Sequence, residues 1–305
     1  MSGKADIKLG YTCNNRCIHC VIADQRDRAL QLRGSTDRTT QEYVSELLDA
    51  KRRGLSDVIF TGGEPTIRKD LLQLMHKART LGLRVHVQTN GRILAYRAMV
   101  EKAAPLQAIW CVALHGPTAA VHDGIVGIPG AFDQTLRGLQ NLREFKQHVL
   151  GKVVISKLNV PHLAEIVGLL ASVGAKHVNL AFPHALGSAR EHFDEVVPTY
   201  TDLAPELRRA VAAHASAIEI SIEAVPPCVL PGHKKHLTEY EFSPRHQPAV
   251  HTQLDMETRD WHEARREQKQ KGENCQQCRY DAVCEGPWKE YVEHFGAGEL
   301  VPLTA

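Results

Sequence analysis

The sequence predicts an α/β chain, a partial (β/α)6 barrel followed by a small C-terminal metal-cluster module. Three observations predict it. Between residues 1 and about 225, short β-rich runs alternate with helical patterns, the rhythm of βα units on a parallel sheet. Six such units are too few to close an eight-stranded barrel, so the barrel is expected to be open. From Val225 the texture changes: Pro226, Pro227 and Cys228 open a stretch rich in Pro, Gly and His, and clear signals return only at Cys275. The expected division is 1–225 and 226–305, with ligands at the carboxyl ends of the strands.

Taken in order, strands are expected near 6–11, 57–61, 83–89, 108–114, 152–156, 177–182 and 218–222, and helices near 41–53, 70–81, 94–104, 131–148, 161–173 and 203–217. Thr39 and Glu42 have the spacing of a capping box, which marks the start of the first of these helices. Gly54 and Gly82 stand where helices need a left-handed C′ residue. Residues 226–305 offer no long amphipathic element, so a bound metal is a reasonable source of their shape.

At 305 residues, with 43% hydrophobic and 24% charged residues, the chain is long enough for one large core and a smaller appendage. A formal charge of +2 argues against a nucleic-acid binder that works through a broad basic surface. The amino terminus lacks the apolar region of a signal peptide and no apolar run is long enough to span a bilayer, so a cytoplasmic protein with no membrane partner is expected. In that compartment eight cysteines are poorly explained by disulfides. One tight cysteine set near the start and another near the end point to two metal sites.

Cys13, Cys17 and Cys20 place three thiols within eight residues, directly after the first expected strand. A structural zinc site normally takes four protein ligands, whereas three thiolates on a cubane cluster leave one iron open. The C-x3-C-x2-C spacing resembles that of the radical S-adenosylmethionine (SAM) superfamily. That resemblance implies a TIM-like partial barrel, a 4Fe-4S cluster on the three cysteines, and SAM chelating the open iron. It also implies that His19, just before the third cysteine, packs on the adenine where many relatives carry an aromatic ring.

Thr61-Gly62-Gly63-Glu64-Pro65 ends the second strand and matches the family's G-G-E-P segment, which implies contact with the methionyl amino group of SAM through Gly62, Gly63, Glu64 and Pro65. Gln88-Thr89-Asn90-Gly91 resembles the family's T-N-G, although an Asn-Gly turn explains it nearly as well. Ala113-Leu-His115-Gly-Pro117 resembles the S-L-D-G-P of peptide-modifying members, with Ala113 for Ser and His115 for Asp. Lys157 and Asn159 stand where the family places polar contacts to SAM, or else form a solvated strand end.

Cys275-Gln-Gln-Cys278 followed by Cys284 is C-x2-C-x5-C, which resembles the SPASM and twitch modules that carry auxiliary clusters. The next SPASM cysteine is replaced by Trp288, leaving Cys228 as the nearest fourth ligand. A second, auxiliary 4Fe-4S cluster is expected; zinc on the four cysteines is the alternative. If Cys228 binds, the cluster is fully ligated; if it does not, an open iron remains for substrate.

Other residues have plainer readings. Cys111 lies in the apolar run Ile109–Leu114 and is expected to be an inert core thiol. The 17 histidines, His233 and His236 among them, read mostly as surface residues. Arg26, Arg28, Arg33 and Arg38 follow the cluster loop and read as a solvated loop, with contact to an anionic substrate as the alternative, and Gly187 to Arg190 read as a turn or a ligand contact.

The resemblance implies an enzyme: reductive cleavage of SAM to methionine and a 5′-deoxyadenosyl radical, which abstracts a substrate hydrogen. A peptide substrate is expected from the SPASM-like segment, and a small molecule of cofactor or natural-product biosynthesis is the alternative. A one-electron reductant such as flavodoxin or ferredoxin is required. With no domain before the first strand, a peptide leader is expected to dock on the barrel, on the module or on a separate leader-binding protein. A reading from another class is a non-catalytic iron–sulfur electron carrier or zinc-binding interaction protein, which has no need of the G-G-E-P segment.

Overall fold

The computed structural model describes residues 3–238, 249–252 and 259–304. Seven strands pair in chain order, every pair parallel: β1 (Lys4–Lys8), β2 (Asp57–Thr61), β3 (Arg84–Thr89), β4 (Ile109–Ala113), β5 (His148–Val154), β6 (His177–Ala181) and β7 (Glu219–Glu223). The order never reverses. Right-handed crossovers that always step the same way keep the helices on one face and curl the sheet around the other, which makes the expected partial barrel.

Period-two alternation assigns the faces. Ile7, Phe60, Val87, Trp110, Val153 and Leu180 are buried and meet the helices in a single core. The alternate positions Asp6, Lys8, Gln88, Cys111, Lys152, Asn179 and Glu223 are half-buried on the concave inner face. A barrel that only needs filling uses branched apolar residues there, so this polar lining belongs to a chamber rather than a core.

Six helices on the outer face fill the crossovers: α2 (Thr40–Arg52), α3 (Leu71–Thr80), α4 (Arg97–Ala103), α6 (Ala131–Glu144), α7 (Leu163–Ser172) and α10 (Tyr200–His214). The capping box forms: Thr39 N–H donates to Glu42 Oε2 at 2.7 Å, and Glu42 N–H to Thr39 Oγ1 at 3.3 Å. Gly54 and Gly82 take φ of 72° and 76°, the left-handed conformation expected of them.

Several boundaries differ from expectation. The helix expected over 131–148 stops at Glu144, and β5 starts at His148 instead of 152. Gly151, which looks like a strand breaker in sequence, is required because a Cβ there would stand 2.6 Å from Leu170 of α7. Helix α10 starts at Tyr200, three residues early: Thr199 accepts from Asp202 N–H, and the distant Glu299 accepts from Thr201 N–H at 2.7 Å. The segment with Arg26, Arg28 and Arg33 is a helix, α1 (Ala23–Arg33), not a loop. Only its Ala29 is buried, so the sequence carried no apolar stripe to mark it. Helix α5 (Ala119–Val126) and the short helices α8 (Ser188–Glu191) and α9 (Phe193–Val196) were likewise not anticipated.

Residues beyond Val225 add to the same sheet. Strand β8 (Ala249–Thr252) lies parallel to β1, and β9 (Arg259–Asp260) pairs antiparallel with β8. Helices α11 (Trp261–Arg266) and α12 (Lys289–Phe295) follow, and Tyr291 of α12 accepts from Tyr200 N–H at 2.9 Å. Part of the 226–275 stretch lies outside the described residues. Among the described residues no helix is long and apolar enough to cross a membrane.

Candidate functional site

The loop after β1 is fixed by backbone hydrogen bonds on three sides. Towards β2, Leu9 N–H donates to Thr61 O (2.7 Å), Gly63 N–H to Gly10 O (2.8 Å) and Glu64 N–H to Thr12 O (2.9 Å). Towards α5, Arg16 N–H reaches Val126 O (2.9 Å) and Ile18 N–H reaches Ile125 O (3.1 Å). Beyond β6, Ser188 N–H donates to Cys20 O at 3.0 Å. Gly63 permits the closest of these approaches: a Cβ there would fall 2.1 Å from Thr12 O. Gly187, at φ 55°, leaves similar room for Cys20 O. Asn90, expected at the site, and Arg92, which the sequence did not single out, complete the anchoring. Asn90 Nδ2 donates to Asn14 Oδ1 at 2.7 Å, and Arg92 Nη1 to Asn15 Oδ1 at 2.9 Å and to the Asn14 carbonyl.

This loop carries Cys13, Cys17 and Cys20, all half-buried at the carboxyl end of β1. Burial pushes the Cys13 thiol up to about 11, with Glu64 and Cys20 adding to it; burial and the neighbouring Cys20 and Cys13 raise Cys17 further, and burial raises Cys20. Three such thiols oppose one another's ionisation, so a positively charged metal group is what stabilises all three as thiolates. Among the described residues no three His, Cys, Asp or Glu side chains are gathered tightly enough to hold one metal ion. Three thiolate donors, one short of the four that a structural zinc takes, fit a cubane cluster that keeps one iron open.

Glu64 is 3% exposed and serves as the knot between the second and third strand ends. Its Oε1 accepts from Thr66 N–H (2.9 Å), Thr66 Oγ1 (2.5 Å) and Thr89 Oγ1 (2.6 Å), and its Oε2 from Asn90 N–H (2.7 Å). Burial raises its pKa, and these four donors oppose the rise. Pro65 opens the single turn of 3-10 helix that follows. Gly62, Gly63, Glu64, Pro65, Thr89 and Asn90 thus form one connected ledge beside the cysteine loop.

His19 and His115 are also brought together, with ring centroids 4.5 Å apart and edge to face. His122 of α5, unremarked in the sequence, stacks behind His115 at 5.9 Å. Val154 N–H donates to His115 Nδ1 and His115 N–H to His122 Nδ1, which places the remaining ring proton of each on Nε2. Burial lowers all three, His19 and His122 to about 4, so the row is uncharged at neutral pH. Asn159 is fully buried: Ser156 N–H donates to its Oδ1, and its Nδ2 donates to His115 O and Val154 O. Its amide is thus spent joining two loops, while Lys157 is exposed.

Cys228, Cys275, Cys278 and Cys284 line one cavity with Lys271, Tyr280 and Pro287. Burial, then the charges of Cys284, Cys275 and Cys278, push Cys228 up to about 12, which puts its sulfur within electrostatic reach of the other three. Two plainer readings are corrected. Cys111 is not on the helix-facing side, where Trp110 and Val112 sit, but on the inner face near Lys152 and Glu223. Of the histidines read as surface residues, His122 and His236 are buried, and His236 Nδ1–H donates to Ile220 O at 2.8 Å.

Comparison with known proteins fits this geometry. The chain is 28% identical over 225 residues to the "AdoMet-dependent heme synthase" of Oleidesulfovibrio alaskensis, covering 68% of this chain and 53% of that one. It is 28% identical over 194 residues to the "Mycofactocin maturase MftC" of Mycolicibacterium smegmatis, covering 63% and 47%. The chain spans about half the length of these curated relatives. The fold matches Streptococcus suis SuiB, solved with S-adenosylmethionine, at a TM-score of 0.69 and 14% identity over 99% of this chain and 76% of that one. A family model described as "Radical SAM superfamily" matches residues 7–170, more than half the chain. With the three-cysteine loop, the Gly-Gly-Glu-Pro ledge and the partial barrel, that match makes this chain a member of the radical SAM superfamily of enzymes.

Proposed function

We propose that the chain modifies a peptide, as in the maturation of a ribosomally made precursor. The observation that carries its radical chemistry is the backbone interlock of Gly10–Thr12 with Gly63–Glu64, which sets three thiols beside the ledge suited to SAM. When bound, the 4Fe-4S cluster and SAM supply one-electron cleavage to methionine and a 5′-deoxyadenosyl radical that abstracts a substrate hydrogen. Cys13, Cys17 and Cys20 hold the cluster. Gly62, Gly63, Glu64, Pro65, Thr89 and Asn90 support the methionyl end of SAM, and His19 with His115 walls the other end. The curled sheet and the C-terminal residues exclude water from the chamber.

Support for a peptide comes from a relative named as a mycofactocin maturase and from the fold likeness to SuiB, also solved with its precursor peptide SuiA. Residues 226–305 form the auxiliary module in this reading, with Cys228, Cys275, Cys278 and Cys284 fully ligating a second 4Fe-4S cluster. A flavodoxin- or ferredoxin-type donor supplies the electron, and a separate protein can present the leader. A tetrapyrrole substrate is the second reading, favoured by relatives named as heme synthases.

The test is anaerobic. Protein reconstituted with iron and sulfide receives dithionite and SAM, and 5′-deoxyadenosine is quantified beside a Cys17→Ala control. Product in the wild type alone supports the reading; an intact cluster that binds SAM without product, in the presence of candidate precursor peptides, refutes it.

A further inference from the structure

Arg92 does more than anchor the cysteine loop. The Thr89-Asn90-Gly91 turn aims it: Gly91 takes φ 78°, and Arg92 N–H donates to Asn90 Oδ1 at 3.0 Å. From there Nη1 donates to the Asn14 carbonyl and, at 2.9 Å, to Asn15 Oδ1, while Nε donates to Gln134 Oε1 of α6 at 2.6 Å. The Asn14 carbonyl belongs to the same peptide unit as the Asn15 N–H, and that N–H donates to Cys13 Sγ at 3.4 Å. A continuous chain of hydrogen bonds therefore runs from a cation, through one peptide group, to a sulfur that holds the cluster.

The guanidinium draws electron density along that peptide, which makes the Asn15 N–H a stronger donor to sulfur. All three side-chain acceptors of Arg92 are neutral, so no carboxylate bound to it cancels its charge. Two hydrogen bonds and one peptide unit span roughly 8 Å at most, a range at which one charge moves a redox equilibrium by about tenfold or more at the effective dielectric of a protein. Reduction adds one negative charge to the cluster and its thiolates, and both the charge and the N–H bond to sulfur stabilise that more negative state. Resting on the radical SAM reading above, we propose that Arg92 is a positioning residue that acts through the Asn14–Asn15 peptide to raise the reduction potential of the cluster on Cys13, Cys17 and Cys20, bringing it within reach of the one-electron donor.

The test is a redox titration of the full chain, reconstituted anaerobically with iron and sulfide and followed by electron paramagnetic resonance. The signal that changes on adding SAM belongs to the cluster with the open iron, which separates it from any cluster on the C-terminal cysteines. Arg92→Met is expected to make reduction of that cluster about tenfold less favourable, a fall of about 59 mV for one electron. Arg92→Lys keeps the charge and is expected to recover at least half of that fall. Gln134→Glu leaves Arg92 and its bonds to the cysteine loop in place but seats a carboxylate on its Nε, and a fall of about threefold, or about 28 mV, is expected. An Arg92 that only braced the loop would alter iron content in its own variants and leave the potential of the loaded cluster unmoved. A wild-type potential in loaded Arg92→Met or in Gln134→Glu overturns the proposal. If Arg92→Met does not retain its cluster, Gln134→Glu decides alone: a lower potential supports the proposal, and an unchanged or higher one overturns it. Absence of a SAM-responsive cluster in the wild type defeats the reading on which the proposal rests, whereas such a cluster with unmoved potentials in the variants defeats the proposal alone.

Discussion

Substituting Gly63 by alanine tests the interlock on which the site depends. The new methyl would stand 2.1 Å from Thr12 O and 2.7 Å from the carbonyl carbons of Thr12 and Tyr11, all backbone atoms that cannot rotate away. Ordinary contact begins near 3.4 Å, so the cysteine loop must retreat by about 1.3 Å. That movement breaks two backbone hydrogen bonds, Gly63 N–H to Gly10 O and Glu64 N–H to Thr12 O. Each is worth about 1 kcal/mol, and overpacking adds about 1–3 kcal/mol, so a loss of about 3–5 kcal/mol is expected. Urea unfolding of the apo protein measures this without any cluster, and iron content after reconstitution reports whether the displaced loop still presents its thiols. The variant is expected to unfold at markedly lower urea and to retain less iron. Wild-type stability together with wild-type iron loading would refute the interlock.

Two further outcomes are expected. Glu64→Gln keeps the shape of the knot but turns an amide N–H toward a donor; about 2–3 kcal/mol of stability and most SAM affinity should be lost, as measured by urea unfolding and equilibrium dialysis. Unchanged SAM affinity would show that the ledge does not depend on the carboxylate. Glu223 is held down to about 2 from its ordinary 4.5: burial raises it, and Lys152, then Arg265 and Lys269, lower it by more. A depressed carboxyl stabilises the fold above about pH 4.5 and loses that contribution as pH falls toward 2. The shift corresponds to about 3 kcal/mol, so Glu223→Gln should be less stable than the wild type by about that much at pH 7 and by less than half of it near pH 3. A gap that does not shrink on acidification would contradict the ionised Glu223 described here.

Much of this protein was legible in its residues because the determining interactions are local. The three-cysteine spacing, the Gly-Gly-Glu-Pro turn and the capping box at Thr39 each lie within a few residues, where covalent geometry fixes what the side chains can do. Strand and helix rhythm up to Val225 likewise follows from period-two and period-3.6 burial, so the partial barrel could be expected from pattern alone. The misplacements fall where burial is set by a distant partner. Gly151 lies in a strand because Leu170 occupies its missing side chain's place, α10 starts early because Glu299 accepts its first N–H groups, and α1 exists with almost no buried face.

Only the tertiary structure joined residues that the sequence keeps apart. Glu64 becomes a knot through Thr89 and Asn90, His19 meets His115, Cys228 reaches the cavity of the other C-terminal cysteines, and Arg265 reaches Glu223. Sequence determined which chemical groups are present and which local turn presents each of them. Which groups share a site was decided by how the parallel sheet curls: neighbouring strand ends come within hydrogen-bond reach, and charges from β5, β7 and α11 converge on one inner face. No spacing along the chain encodes that convergence.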